Sequence, residues 1–152
     1  MISIGIFLIV IAILLIAFNR ISDQSRQEDL GNDLESGSLF ATDVLMKTEG
    51  FPTNWNNTSV IVPGFLENGT LSKNKISNFV HLDYNRAKYM LGLSGFDFNM
   101  TVTSLNGSII FDNNGNRLEY GTQLIQAERL SVTDRIGEIN GQIAKIRFLV
   151  WK

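Results

Sequence analysis

The chain has 152 residues, a formal charge of −2 and no cysteine. This length suits one domain of ordinary size. The charge gives no basic footprint for a nucleic acid, and the lack of cysteine excludes disulfides and thiol chemistry. Hydrophobic residues make up 44% of the chain, and many of them lie in the first eighteen positions, so their distribution is more informative than their number.

Residues 2–18 form an uncharged segment that consists mostly of Ile, Leu, Val and Phe. As a helix it would be about 25 Å long, at the short end of a membrane span. Because the segment is apolar on every face, it must be surrounded by lipid or by other apolar helices. A cleaved signal peptide is the weaker interpretation, since no Lys or Arg precedes the segment and "IAFNRIS" is a poor cleavage site.

The helical pattern continues beyond residue 20 but becomes amphipathic. Apolar residues recur there at steps of three or four, and acidic residues occupy the other face. Gly50 followed by Pro52 predicts the end of the helix. We therefore predict a helix over residues 1–49, with 1–20 as a membrane or filament core. Residues 21–49 would pack on the following domain through one stripe: Leu30, Leu34, Ala41 and Leu45.

Residues 50–152 predict a small, mostly β domain. Asn106-Gly107 and Asn140-Gly141 are typical of two-residue hairpin turns. Alternating or apolar runs predict strands, and two short segments predict helices, the second with Asp83 as its N-cap. The strands are 59–66, 96–105, 108–111, 123–136 and 142–151, and the helices are 71–80 and 83–91. We expect an α+β fold, with an antiparallel meander of four or five strands covered by the amphipathic half of the long helix.

The polar residues indicate no catalytic or metal site. "DNNGN" at 112–116 favours a turn over a calcium loop, because its Gly is fourth and no Glu follows at position twelve. His81 is the single histidine, which argues against zinc. Neither a Gly-x-Ser-x-Gly elbow nor a Walker-type phosphate loop occurs. We predict no enzyme activity and no cofactor.

Five Asn-x-Ser/Thr sequons follow the helix, on predicted turns or on the polar face of a strand. This placement suits surface N-glycosylation of an exported protein. Chance is the competing explanation, since such triplets are common in any chain rich in Asn and Thr. The candidate positions are Asn56, Asn57, Asn68, Asn99 and Asn106.

The architecture resembles type IV pilins: an apolar half-helix, an amphipathic continuation and a C-terminal antiparallel β domain. The Ile-rich opening, the absence of cysteine, the Asn/Thr-rich β domain and its sequons look most like the archaeal branch. "FPTNW" after the helix and "INGQIAKIRFLVW" near the end are similar to archaeal pilin-like subunits. Gly5 stands where bacterial pilins typically carry Glu, a departure that favours the archaeal branch.

The resemblance implies a structural subunit of an extracellular filament for cell adhesion, a helical homopolymer of this chain. The subunit would insert into the membrane before assembly and would meet a prepilin peptidase and the pilus assembly machinery. The peptidase would remove a short basic leader before Met1. The filament core would be formed by the apolar helix residues, namely Ile2, Ile4, Gly5, Ile6, Phe7, Ile9, Val10, Ile13, Leu14, Ile16 and Ala17.

The alternative is a single-span membrane protein with an exported β domain for binding or sensing. Its helix would stay in lipid as an anchor. If no leader precedes Met1, this interpretation gains, and Arg20 and Arg26 after the span would place the β domain in the cytoplasm. A leader that contains Lys or Arg would reverse that orientation.

Overall fold

The computed structural model describes the backbone of residues 2–152 and the side chains of Leu8 and of residues 11–152. The chain divides into two compact units, of which the first ends at Asp33 and the second is Leu34–Lys152. These units do not coincide with the predicted domains 1–49 and 50–152, because residues 34–49 belong to the second unit.

Helix α1, Ile2–Lys47, is the longest element. No proline precedes Pro52, so nothing in this stretch removes a helical hydrogen bond. The helix ends three residues before Gly50, which adopts a left-handed conformation with φ +75°. The predicted end at residue 49 is therefore two residues beyond the observed end, which is the usual uncertainty of helix boundaries.

The carbonyl groups at the end of α1 are satisfied by residues distant in sequence. Phe65 N donates to Leu45 O at 2.7 Å, and Leu66 N donates to Thr48 O at 3.0 Å. The ammonium group of Lys75, which is buried, donates to Glu49 O at 2.8 Å. Buried backbone carbonyls need such partners, so these bonds hold the helix end against the segment 64–66.

Two short helices and two short strands precede the main sheet. Strands β1 (Leu66–Glu67) and β2 (Thr70–Leu71) form a hairpin, followed by α2 (Lys73–Val80) and α3 (Tyr84–Met90). Both predicted helices are confirmed, and Asp83 caps α3 because its carboxylate accepts from Arg86 N at 2.9 Å.

The sheet has six strands in the order β1-β2-β5-β6-β3-β4. The four remaining strands are β3 (Asp97–Ser104), β4 (Glu119–Gly121), β5 (Leu130–Ile139) and β6 (Gln142–Trp151). Strand β6 lies between β5 and β3 and pairs antiparallel with both, whereas β2 pairs parallel with β5. The predicted meander is wrong, because β3 pairs with the last strand, β6, as well as with β4, and β4 therefore lies at the edge of the sheet and not beside β5.

Three predicted strands differ from the observed ones. Segment 108–111 forms only isolated bridges, at Ile109 and Phe111. Segment 59–66 is largely irregular, because its N–H groups bond to Phe51 O and to the end of α1 instead of to a neighbouring strand. A Cβ on Gly64 would collide with Thr48 and Gly50, so this close approach needs glycine. Segment 123–136 becomes regular only at Leu130, where pairing with Trp151 begins.

The core of the second unit lies on one face of the sheet. Alternate residues of β3 and β6 are fully buried, as the sequence pattern predicts. Phe98 and Phe148 stack with ring centroids 5.1 Å apart, and Phe65 meets Phe79 edge to face at 5.4 Å. These inward-facing residues of the two strands are Phe98, Met100, Val102, Ala144, Ile146, Phe148 and Val150.

Candidate functional site

The apolar segment of α1 from residue 11 to Phe18 exposes its side chains on every side. Residues 13–16 are consecutive and each is more than half exposed, and Phe18 is 70% exposed. Consecutive residues of a helix point about 100° apart, so four of them in a row cover the whole circumference. This segment therefore has no buried face within its unit.

One side of the same segment carries a shallow apolar groove of about 450 Å³. Such a groove between side-chain ridges is what another helix needs for close packing. The groove is lined by Ile11, Leu14, Leu15, Ala17, Phe18 and Ile21. Among the side chains that the structure describes, no helical stretch is long and apolar enough to span a bilayer.

The predicted filament-core residues fall into two groups. Ile13, Leu14, Ile16 and Ala17 lie in the exposed segment. The side chains of the others lie outside the described residues, namely Ile2, Ile4, Gly5, Ile6, Phe7, Ile9 and Val10.

Three of the four predicted packing residues of α1 are buried in the second unit. Leu34, Ala41 and Leu45 are at most 1% exposed, whereas Leu30 belongs to the first unit and is half-buried. The packing includes a polar contact that the apolar stripe did not indicate. The hydroxyl groups of Ser38 and Thr133 are both buried and lie 2.7 Å apart.

The candidate glycosylation sites lie in different surroundings. Asn56, Asn57, Asn68 and Asn106 are exposed on turns and loops. Asn99 is half-buried within β3, opposite Leu149 on one side and Gly121 on the other, and its amide donates to Thr122 O. Asn99 is therefore part of the paired sheet, unlike the other four.

The overlapping pair at Asn56 and Asn57 is ordered by one side chain. The Asn56 amide oxygen accepts from Thr58 N, from the Thr58 hydroxyl and from Ser59 N, at 2.7 to 3.0 Å. Arg86 donates to Asn57 O and Val60 O and so holds the same loop on α3. Asn57 itself is exposed.

Asp112 organises the "DNNGN" turn through hydrogen bonds. Its carboxylate accepts from the backbone of Asn114 and Asn116, from the Asn116 amide and from the Ser77 hydroxyl. Burial would raise the pKa of Asp112, but these hydrogen bonds outweigh it and lower the pKa to about 2. Within the described part of the chain, no three His, Cys, Asp or Glu residues form a group suited to a metal ion.

A polar cleft lies beside the β1–β2 hairpin, and no sequence motif indicated it. Two adjoining cavities of about 260 and 390 Å³ share Lys73, Asn74 and Asn113. We call the combined lining of the two cavities the asparagine cleft. It presents six side-chain amides, those of Asn68, Asn74, Asn78, Asn113, Asn114 and Asn140. Two asparagines four positions apart in a predicted helix were the signal that could have pointed to it.

Comparisons with known proteins do not identify the chain. A scan against known protein families, a search of curated proteins and a search of solved structures each found no match.

Proposed function

We propose that this chain is a structural subunit of an extracellular filament of the type IV pilus kind, with an adhesive role. The subunit is held in the membrane by its apolar helix segment and then polymerises through that segment. Its partners are further copies of itself, the membrane before assembly and the machinery that processes and assembles such subunits.

The observation that carries this proposal is the exposure of residues 13–16 on all sides of α1. A solvated helix of a globular domain normally keeps one polar face, and large exposed apolar surfaces mark interaction sites. Two environments suit a helix that is apolar all round: the lipid bilayer and a bundle of identical helices. A filament subunit uses both in succession.

The transfer from lipid to filament is energetically plausible for this segment. Lipid tails are as apolar as Leu, so association of such helices depends on close packing instead of on hydrophobic transfer. The groove beside Ala17 offers a place for a neighbouring side chain. A head-to-tail contact that does not close on itself produces a helical polymer.

The second unit supplies the folded domain that such a filament displays. Its part of α1 packs on the sheet through Leu34, Ala41 and Leu45, so the unit has its own core. A long N-terminal helix followed by an α+β domain with a C-terminal sheet is the architecture that the resemblance requires.

An Ile13→Asp substitution tests the proposal. The carboxylate costs about 2.5–3.5 kcal/mol at the centre of a membrane, and in a filament the cost recurs in every subunit. We expect cells that carry this variant to lose their fibres in electron micrographs. Ile136→Asp is the matched control, because Ile136 is 67% exposed on β5 opposite Lys145 and tolerates a charge.

Three outcomes would contradict the proposal. Fibres that persist with Ile13→Asp would refute the packing of the apolar segment. A shortened chain that begins at Asp29 and still forms the same fibres would reduce the segment to an anchor. Native cells that carry the protein as single particles would favour the membrane-anchored alternative.

We also propose that the exported subunit is N-glycosylated. The exposed candidates Asn57, Asn68 and Asn106 should carry added mass when peptides of the native protein are analysed by mass spectrometry. Asn99 should carry less, since its amide is engaged within the sheet. A native mass equal to that of the bare chain would remove this proposal and leave the filament proposal intact.

A further inference from the structure

The asparagine cleft is built from rigid elements. Asn68 and Asn140 each adopt φ 51° as the first residue of a two-residue hairpin turn, followed by Gly69 and Gly141, also with positive φ. This geometry matches the type I′ turn, which fixes both strand ends. The two turns therefore place the backbone of Asn68 and of Asn140 at one rim of the cleft.

The opposite rim is equally constrained. The Asn113 amide donates to Asn74 Oδ1 at 3.2 Å and links the turn to helix α2. Asn114 is held by the carboxylate of Asp112, which accepts from its backbone N–H at 2.8 Å. A site whose groups are fixed in advance loses little conformational entropy when a ligand binds.

Helix α2 contributes two asparagines that its own stability does not explain. Asn74 and Asn78 are four residues apart and so share one face of the helix, which borders the cleft. Asparagine is a poor helix former in a helix interior. Neither residue belongs to the buried face, which consists of Lys75, Ile76 and Phe79. Neither side chain therefore takes part in the hydrophobic packing of the domain, although Asn74 accepts the hydrogen bond from Asn113.

The chemistry of the cleft suits a neutral ligand rich in hydroxyl groups. Each asparagine offers both a donor and an acceptor. Glu67 and Lys73 carry opposite charges, so they give the lining no net charge that would select an anion or a cation. Leu71 adds one apolar contact. The two cavities together fall in the range of ordinary ligand sites.

We propose that the asparagine cleft binds a neutral oligosaccharide. The ring hydroxyls would pair with the amides of Asn74, Asn113 and Asn140, and a second sugar would reach Asn78 and Asn114. This inference deepens the adhesive role proposed above and rests on it for its biological meaning, because it names the class of surface that the filament would hold.

The test uses the full chain in micelles of a detergent without a sugar head group. Maltotriose, mannotriose and triacetylchitotriose are titrated separately, and amide signals are followed by NMR. We expect at least one trisaccharide to give saturable shifts confined to the signals of Asn74, Asn78, Asn113, Asn114 and Asn140. Because the subunits stay apart in micelles, this result is independent of filament formation.

A double variant, Asn74→Ala with Asn140→Gly, removes two amides and keeps the fold. Alanine favours the helix, and glycine accepts the positive φ of the turn. We expect binding to weaken about tenfold or more, as the loss of two hydrogen bonds implies. Asn85→Ala in α3 is the control and should leave binding unchanged.

Two results would overturn the inference. One is the absence of saturable shifts at the cleft with all three trisaccharides while the chain is folded. The other is a double variant that binds as tightly as the unchanged chain. Either could occur while Ile13→Asp still abolishes fibres, so this inference and the filament proposal can fail separately.

Discussion

Helix α1 places apolar side chains in two different settings. Between Ile13 and Phe18 they are mostly more than half exposed, whereas Leu34, Ala41 and Leu45 of the same helix are almost fully buried. The compared side chains are apolar in both settings, so the difference lies in which residues surround them along the helix. Around Leu34 and Ala41, charged residues such as Glu35 and Asp43 occupy the other faces, so one stripe packs and the rest is solvated.

A helix with one apolar stripe can bury that stripe against its own unit, whereas a helix that is apolar on every side can be buried only by other molecules. The stripe contributes to the stability of a single subunit. The apolar segment lies in the other unit, and the role we propose for it is association with lipid or with other copies. Substitutions in the two regions should therefore affect different measurements.

The largest expected effect comes from a matched pair of phenylalanines. Phe148 is fully buried and stacks on Phe98, so Phe148→Ala should lower the free energy of unfolding of its unit by about 3–5 kcal/mol. Phe18→Ala should change it by less than about 0.5 kcal/mol, because Phe18 is exposed in the other unit.

Tryptophan fluorescence during urea unfolding measures this contrast directly. Trp55 and Trp151 are both buried and both lie in the second unit, so the signal reports that unit alone. Equal losses for the two variants would contradict the separation of roles. Phe18→Ala should lower the yield of fibres, although it hardly changes the free energy of unfolding.

An intermediate effect is expected at the hydroxyl pair between α1 and β5. Ser38→Ala leaves the buried Thr133 hydroxyl without its partner and should cost about 1–3 kcal/mol. Adding Thr133→Val removes the orphaned hydroxyl, so the double variant should recover much of that loss. A double-mutant cycle by urea unfolding gives the coupling. Purely additive losses would show that the contact does not stabilise the packing of α1.

The smallest expected effect concerns acid. The pKa of Asp112 is about 2 in the folded chain, below the value near 3.9 of an unfolded Asp. Its contribution to stability is therefore complete above about pH 4 and is lost as the pH falls through about 2. Stability should fall over this window, and Asp112→Asn should flatten the fall.

Two further carboxylates also have a lowered pKa in the folded chain, so they too make stability fall in acid. A hydrogen bond from Lys47 lowers the pKa of Asp43, and a hydrogen bond from Arg147 lowers the pKa of Asp134. All of these groups lie in Leu34–Lys152, while residues 11–18 contain no titratable side chain. Acid should therefore lower the stability of the second unit. An unfolding free energy that rises between pH 4 and pH 2 would contradict the assignment.

Several local elements of this protein were predictable from sequence alone. The uninterrupted helical pattern up to Gly50 predicted α1, Asp83 predicted the start of α3, and Asn140-Gly141 predicted the β5–β6 hairpin. Each of these depends on residues close together in the chain, because capping bonds and turn conformations are local. The burial alternation in β3 followed from strand geometry in the same way.

Only the tertiary structure decided how these elements combine. Gly64 marks a close approach to the end of α1 that diverts 59–66 from a strand, and the pairing of β3 with β6 joins residues about 45 positions apart. The asparagine cleft likewise joins Asn68, Asn113 and Asn140 from three separate turns. Sequence determines the conformation of each turn, but the contacts that bring the turns together depend on the packing of the whole sheet.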